Sequence, residues 1–381
     1  MDLILCHPSL SYKGGAERVV LEIARRFNPT IITTEYDKDS GFPEFTDFDV
    51  RIIRPALSPP IFRMVFASDR RAMVSAIAAD AFLFHKIRDD YDVLNPHVVP
   101  SEWIRARNPR VCWYCHSPIR TAFEKSFNSG LYSQAASPLI GPSLAAYRAI
   151  EMRLVPKIEK ICTNSEVSKS RIARYLGRRD AEVIPPGVDA KKFRCDGYGK
   201  FFLYPSRITP EKRFEMAIAA FRKFGKSGKG IWRLKIAGFI SESGRDRAYL
   251  EYLKSISAGL PVDFIRNPSD ARLRRLYASC LATLFCPIEE DWGLVPLEGM
   301  ASSKPCISVN EGGPTVSILD GKTGFLVNSP EQMAERMRFL VQHPSEAERI
   351  GKAGRDRVRR NYTWKKFLDG MEKAFRQAAK A

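Results

Sequence analysis

No stretch of the chain stays apolar for the length a bilayer crossing needs. The nearest approach, Val74 to Phe84, is interrupted by Asp80, so no membrane-spanning helix is expected. The opening residues, M-D-L-I-L-C-H-P, lack a basic start and an adequate apolar region. No secretory leader is expected there, and the segment reads as a first buried strand. Cysteine is sparse, with eight in 381 residues, and Cys6, Cys112, Cys162, Cys280, Cys286 and Cys306 fall in strand-like segments. That distribution excludes a disulfide framework and suits buried thiols in a reducing, cytoplasmic compartment. No second ligand pair stands at finger spacing, so a zinc site is not expected. Cys112-Trp113-Tyr114-Cys115-His116 spells a covalent haem attachment motif. Its cysteines lie three apart on a strand, however, and so face opposite sides. No export signal accompanies it, and haem is not expected.

Acidic residues are also short. There are 43 against 61 bases, a formal net charge of +18. The surplus is clustered, first at Arg148, Arg153, Lys157, Lys160, Lys169, Arg171, Arg174, Arg178 and Arg179. It recurs at Arg349, Lys352, Arg355, Arg357, Arg359, Arg360, Lys365 and Lys366. Such runs ordinarily form solvated helix faces, but a surplus this large also implies an anionic partner. Nucleic acid, anionic lipid and diphosphates are the candidates. No recognised RNA- or DNA-binding module is present, so a nucleic-acid partner is not expected. Basic side chains near an anionic membrane surface are each worth about 1 kcal/mol. The stretch Pro59-Pro60-Ile61-Phe62-Arg63-Met64-Val65-Phe66, leading to Arg70-Arg71, is a candidate docking element; its alternative is a core-facing loop.

What the chain does have is alternation. Strand-like runs such as Leu3–Cys6, Val111–Cys115, Phe201–Tyr204, Leu281–Cys286 and Cys306–Val309 are separated by helical patterns. These include Ala16–Phe27, Glu166–Leu176, Phe214–Phe224 and Asp270–Ser279. Alternation of this kind predicts an α/β fold with helices on both faces of a parallel sheet. The pattern breaks over Pro185 to Tyr198, rich in Pro and Gly, and then restarts. The chain therefore predicts two doubly wound, Rossmann-like domains, residues 1–190 and 191–362, followed by a terminal helix at 363–381. No solenoid repeat is present.

The densest chemistry lies in Pro287 to Pro305, P-I-E-E-D-W-G-L-V-P-L-E-G-M-A-S-S-K-P. A buried strand precedes it, and Pro296 is compatible with a first helical turn. Glu290 then falls in the loop at the strand's carboxyl end and Glu298 in the first turns of the next helix. Open α/β sheets bind ligands there. Ionised carboxylates only accept hydrogen bonds, which suits paired hydroxyls. Two surface acids near a helix start are the alternative. Arg207 and Lys212, in S-R-I-T-P-E-K-R, lie between a strand end and a helix. One planar fork and one point charge suit a diphosphate. Lys13-Gly14-Gly15-Ala16 opens a helix, where backbone N–H groups favour an anion. It lacks the third glycine of a dinucleotide fingerprint. His116 follows a buried strand, and His7 is a second strand-end histidine.

The spacing E-x7-E with an internal G-L-x-P-L-E resembles the signature of glycosyltransferase family 4, retaining enzymes of the GT-B fold. Further pieces occur in family order: Gly14-Gly15-Ala16-Glu17-Arg18, His116 in Y-C-H-S-P-I-R, Pro186-Gly187-Val188-Asp189, Arg207 with Lys212, Gly312-Gly313, and Asp320-Gly321-Lys322-Thr323-Gly324. The resemblance covers nearly the whole chain, and Y-C-H-S-P-I-R is most similar to mannosyltransferase-type members. It implies two domains facing a cleft, an amino-terminal acceptor domain and a carboxy-terminal nucleotide-sugar domain. The last helix is implied to cross back to the amino-terminal domain. It implies transfer of a hexose, mannose first, from GDP-mannose or a UDP-hexose to a hydroxyl of a lipid-linked or polysaccharide acceptor. His116, Glu290, Arg207 and Lys212 are its implied catalytic residues. Gly14, Gly15, Arg207, Lys212, Glu290, Gly293, Leu294 and Glu298 are implied to bind the donor, with Glu298 on the ribose. Arg120 is the candidate for an acceptor phosphate.

The resemblance implies no cofactor beyond the nucleotide sugar and no metal. Asp37-Lys38-Asp39 has the spelling of a metal triad but lies in the half where the family does not bind its donor. One departure stands out. Family members commonly carry a glutamate shortly after the late glycine pair. This chain has Thr315 and Ser317 there, while Glu311 precedes the pair. Other readings are a non-catalytic GT-B subunit, a basic nucleic-acid-binding protein and a sugar epimerase. The first would be expected to lose Glu290, Arg207 or Lys212, and all three are present.

Overall fold

The computed structural model describes residues 1–57, 70–124, 140–225, 231–240 and 244–381. The candidate docking stretch Pro59 to Phe66 lies outside them. The chain divides into two units, Met1–Pro185 with Phe367–Ala381, and Pro186–Lys366.

Unit 1 is built on seven parallel strands: β1 Leu3–Ser9, β2 Thr30–Glu35, β3 Val50–Ile52, β4 Val93–Pro96, β5 Cys112–Cys115, β6 Lys160–Thr163 and β7 Glu182–Val183. They form a four-stranded sheet in the order β3-β2-β1-β4 and a three-stranded sheet β5-β6-β7. Isolated parallel bridges, Leu94 to Val111 and His97 to Tyr114, join β4 to β5. All seven residues of β1 are buried, as are all four of β5. Covering a parallel sheet on both faces requires such continuous apolar runs. The terminal helix Trp364–Ala378 packs here through Phe367 on Tyr114 and Phe375 on Phe27, each pair 5.5 Å between ring centroids.

Unit 2 repeats the scheme with six parallel strands: β8 Phe201–Pro205, β9 Arg233–Gly238, β10 Val262–Arg266, β11 Ala282–Phe285, β12 Cys306–Val309 and β13 Phe325–Val327. Their order is β10-β9-β8-β11-β12-β13. The strand order reverses between β8 and β11, and ligands of such sheets bind at that switch point.

Three readings of the sequence change. The helix after Gly293, which the sequence places at Leu297–Ala301, starts at Leu294, so Pro296 is its third residue. That position has no intrahelical N–H partner, so proline costs nothing there. Glu298 consequently sits in the second turn. The carboxy-terminal basic run is also not simply a solvated face. Arg355 donates to the carbonyls of Ala301 and Ala190, and Arg357 to those of Ser317 and Val316. The carbonyls of Ala301, Val316 and Ser317 lie at the carboxyl ends of other helices, where positive charge is favoured. Third, the short helices Arg120–Phe123 and Pro314–Ser317 stand where the sequence reads as loop. All eight cysteines are free.

Unit 1 also buries two carboxyl groups together. Glu102 and Glu151 are both fully buried, and Trp103 Nε1 donates to Glu151 at 2.6 Å. Burial, then the neighbouring Glu151, pushes Glu102 well above the ordinary glutamate range. The native Glu102 holds its proton after the unfolded chain has lost it, so stability falls as pH rises between those two points. Glu102→Gln removes that loss. Its stability relative to wild type is expected to rise in denaturant titrations as pH climbs above the ordinary glutamate range. A difference that stays constant with pH contradicts this.

Candidate active site

On unit 2 three loops meet at the carboxyl edge of the sheet. The first leaves β8, passes Arg207, makes a 3-10 turn over Pro210–Lys212 and enters helix Phe214–Phe224 through Arg213. Arg213 has a left-handed backbone, φ 47°, which turns its side chain toward the neighbouring loops. Its guanidinium donates to Cys286 O at 2.7 Å, to Pro287 O at 3.0 Å and to both oxygens of Glu311 at 3.0 Å. Glu311 also accepts from the Glu289 amide at 3.3 Å. Gly313 N donates to Glu290 O at 2.6 Å. Gly312 has φ 63°, and a Cβ there would stand 2.2 Å from Glu290 O. Only glycine allows this approach.

These interlocked loops bring two of the expected residues into contact. Lys212 Nζ donates to Glu290 Oε2 at 2.6 Å, with both side chains largely shielded. The backbone of Lys212 is fixed by Tyr204, whose hydroxyl donates to its carbonyl. Arg207 is exposed and forms no ion pair among the described residues. Gly293, φ 83°, caps helix Leu294–Ala301 without a side-chain hydrogen bond. The amide donors of its first turn thus have no side-chain cap. Glu298, one turn on, accepts from the Tyr277 hydroxyl at 2.7 Å. The altered late loop offers no replacement carboxylate. Thr315 donates to Gly312 O and Ser317 to Pro314 O, while Glu311 is held by Arg213.

On unit 1 the remaining expected residues sit at or just beyond strand ends. Gly14 caps helix Gly15–Phe27. Glu17, three residues on, curls back so far that a Cβ on Gly14 would meet its Oε2 at 2.3 Å. A carboxylate therefore already serves that positive helix end. Glu17 also lies 3.6 Å from His7 Nε2. His116 follows β5, and its carbonyl accepts from Asn164 Nδ2 at 2.8 Å. Burial, then the nearby His7, lowers the His116 imidazole to about 3. Burial lowers His7 to about 4. Both shifts favour the neutral ring at physiological pH. Arg120 is not a free base. Its guanidinium grips Glu124 Oε2 at 2.8 and 3.1 Å, and an incoming phosphate must compete with that carboxylate.

Sequence reasoning passed over Arg213, Tyr277, Asn95 and His97. Arg213 adjoins Lys212 in E-K-R, and His97 ends a strand in N-P-H. Each had a visible local cue but no visible partner.

Residues 189–357 match the sequence profile described as "Glycosyl transferases group 1", and residues 13–192 the one described as "Glycosyltransferase Family 4". The chain is 28% identical to the alpha-1,3/1,6-mannosyltransferase ALG2 of Homo sapiens, over 97% of this chain and 94% of that one. It is 25% identical to ALG2 of Dictyostelium discoideum, over 97% of both. The crystal structure of Anabaena Alr3699/HepE in complex with UDP-glucose superposes with a TM-score of 0.73 at 15% identity, covering 98% of this chain and 99% of that one.

Proposed function

The chain belongs to glycosyltransferase family 4 and has the GT-B fold, and we propose that it moves a mannosyl group from a nucleotide sugar to a hydroxyl of a lipid-linked or polysaccharide acceptor. GDP-mannose is the first donor in this reading and a UDP-hexose the second. Arg207 and Lys212 take the charge that grows on the departing nucleoside diphosphate. Glu290 orients hydroxyls of the transferred sugar and Glu298 those of the ribose. Gly293 and Leu294 offer backbone N–H groups, the Gly14–Gly15 turn does so where the donor displaces the Glu17 carboxylate, and neutral His116 meets a sugar hydroxyl. Configuration is retained by front-face attack. The C1–phosphate bond breaks, the acceptor oxygen bonds C1 on the same face, and its proton passes to the leaving phosphate oxygen.

The observation that carries this reading is the contact of Lys212 with Glu290 at the switch point, on the loop that also carries Arg207, a base with no ion pair among the described residues. ALG2 relatives named as mannosyltransferases support the choice of sugar. No helix among the described residues is long and apolar enough to cross a membrane. In this reading the +18 charge brings the chain to an anionic membrane surface bearing its acceptor.

A panel of nucleotide sugars tested for thermal stabilisation checks the donor. Ligand at a hundred times its dissociation constant adds about 2.7 kcal/mol. GDP-mannose is expected to raise the melting temperature most and to label an acceptor by mass spectrometry. Stabilisation by a UDP-hexose alone would replace the sugar assignment. Binding without any transfer would favour a non-catalytic subunit.

A further inference from the structure

Three histidines of unit 1 stand at the ends of neighbouring strands. His7 lies in β1, His97 just past β4 and His116 just past β5. His97 is fully buried and ring-contacts both Tyr114 and His116, at 5.4 and 5.3 Å between centroids. Its hydrogen bonds fix where its proton sits. Asn95 Nδ2 donates to Cys112 O at 2.6 Å. That orientation places Asn95 Oδ1 against His97 Nε2, 2.8 Å away. An amide oxygen only accepts, so Nε2 of His97 carries the proton. Burial keeps His97 well below its ordinary range. A neutral ring protonated on Nε2 leaves Nδ1 bare. That bare nitrogen lies 3.1 Å from His116 Nε2, so the proton between them belongs to His116. Since His116 is also neutral, its own Nδ1 is left as an acceptor. No hydrogen bond reaches that atom among the described residues.

We infer that His97, oriented by Asn95, is a positioning residue that fixes His116 as the Nε2–H tautomer and leaves the His116 Nδ1 to accept a hydrogen bond from a substrate hydroxyl. The inference rests on the proposed role of His116 and adds to it the polarity of the contact. A ring held the other way round would present an N–H there. It would then require the hydroxyl to accept instead of donate, and the buried acceptor of His97 would lose its partner. Groups left unpaired in this way discriminate strongly in binding sites. His7 belongs to a separate arrangement. Its Nδ1 accepts from the Ser9 amide at 3.3 Å, which puts its proton on Nε2 toward Glu17.

Long-range proton–nitrogen NMR on the 15N-labelled full chain tests the tautomers without substrate. The expected result is His116 protonated on Nε2, with a scalar coupling between that nitrogen and Nδ1 of His97. A proton on Nδ1 of His116, or no coupling, overturns the inference and leaves glycosyl transfer untouched. Turnover tests the consequence. His97→Phe is expected to lower kcat about tenfold with little change in donor KM. His97→Gln, whose side-chain carbonyl can accept from His116 Nε2, is expected to recover most of that loss. Equal defects in the two variants, with matched melting temperatures, overturn the positioning role. If His116→Ala turns over normally while the coupling is present, the substrate contact of His116 is wrong and the inferred acceptor role falls with it. Because the NMR readout is on the wild-type protein, a variant that fails to fold does not blunt the test.

Discussion

Lys212→Ala is expected to cut turnover about a hundredfold, and Arg207→Ala by a similar factor. The two act on the same event. As the glycosidic bond breaks, the leaving diphosphate gains negative charge, and a fixed cation stabilises it more in the transition state than in the bound donor. Losing one such preorganised group costs roughly 3 kcal/mol. Such a loss falls on kcat and kcat/KM alike, because the interaction grows only as charge develops. The variants differ in their side effects. Arg207 is exposed and forms no ion pair among the described residues, so its removal leaves stability near that of wild type. Lys212 is shielded and bonded to Glu290 at 2.6 Å. Its removal leaves a partly buried carboxylate without its cation, and a modest drop in melting temperature accompanies the loss of rate. Steady-state kinetics with saturating donor measures the first effect and thermal denaturation the second. If both variants stay folded and turn over near the wild-type rate, the diphosphate does not bind at these residues.

Much of the fold was readable because the chain punctuates its elements. Helix Glu166–Leu176 has a Ser165 cap bonded to the Ser168 amide and a left-handed Gly177 at its end. Helix Asp270–Ser279 has a Ser269 cap bonded to the Arg272 amide. Both helices begin and end where the sequence predicts, since cap and stop residues carry local energies of their own. Four-residue helices such as Pro314–Ser317 escape, because one turn is too short to show a period. The site divides along the same line. Glu290, Glu298, Arg207 and Lys212 could be named from local spacing together with the family resemblance. What holds them could not. The Arg213–Glu311 clamp joins residues 98 apart, and it depends on a left-handed arginine that no propensity favours. The pairing of His97 with His116 depends on the register of two strand ends. Partners of this kind become visible only once the sheet order is known.

Glu290→Gln is expected to separate two properties that usually fall together. Without donor, Lys212 is engaged by the Glu290 carboxylate. A diphosphate arriving at Lys212 must displace or share that partner, and it is repelled by the same carboxylate. Replacing the charge by a neutral amide removes both obstacles. A largely shielded pair that still meets solvent, as this one does through Glu290, is worth about 1 kcal/mol, so affinity for the free nucleoside diphosphate should rise about fivefold. Transfer should move the other way. A hydrogen bond from a sugar hydroxyl to a carboxylate is worth roughly 1.5–3 kcal/mol, more than one to an amide. The variant is therefore expected to lose at least tenfold in kcat with the nucleotide sugar. Isothermal titration with the nucleoside diphosphate, beside steady-state kinetics with the full donor, measures the two halves. The ion pair is thus read as a coupling device, in which the diphosphate claims Lys212 and so releases Glu290 to the sugar hydroxyls. Weaker binding of both ligands in Glu290→Gln would show instead that Glu290 serves mainly to hold Lys212 in place.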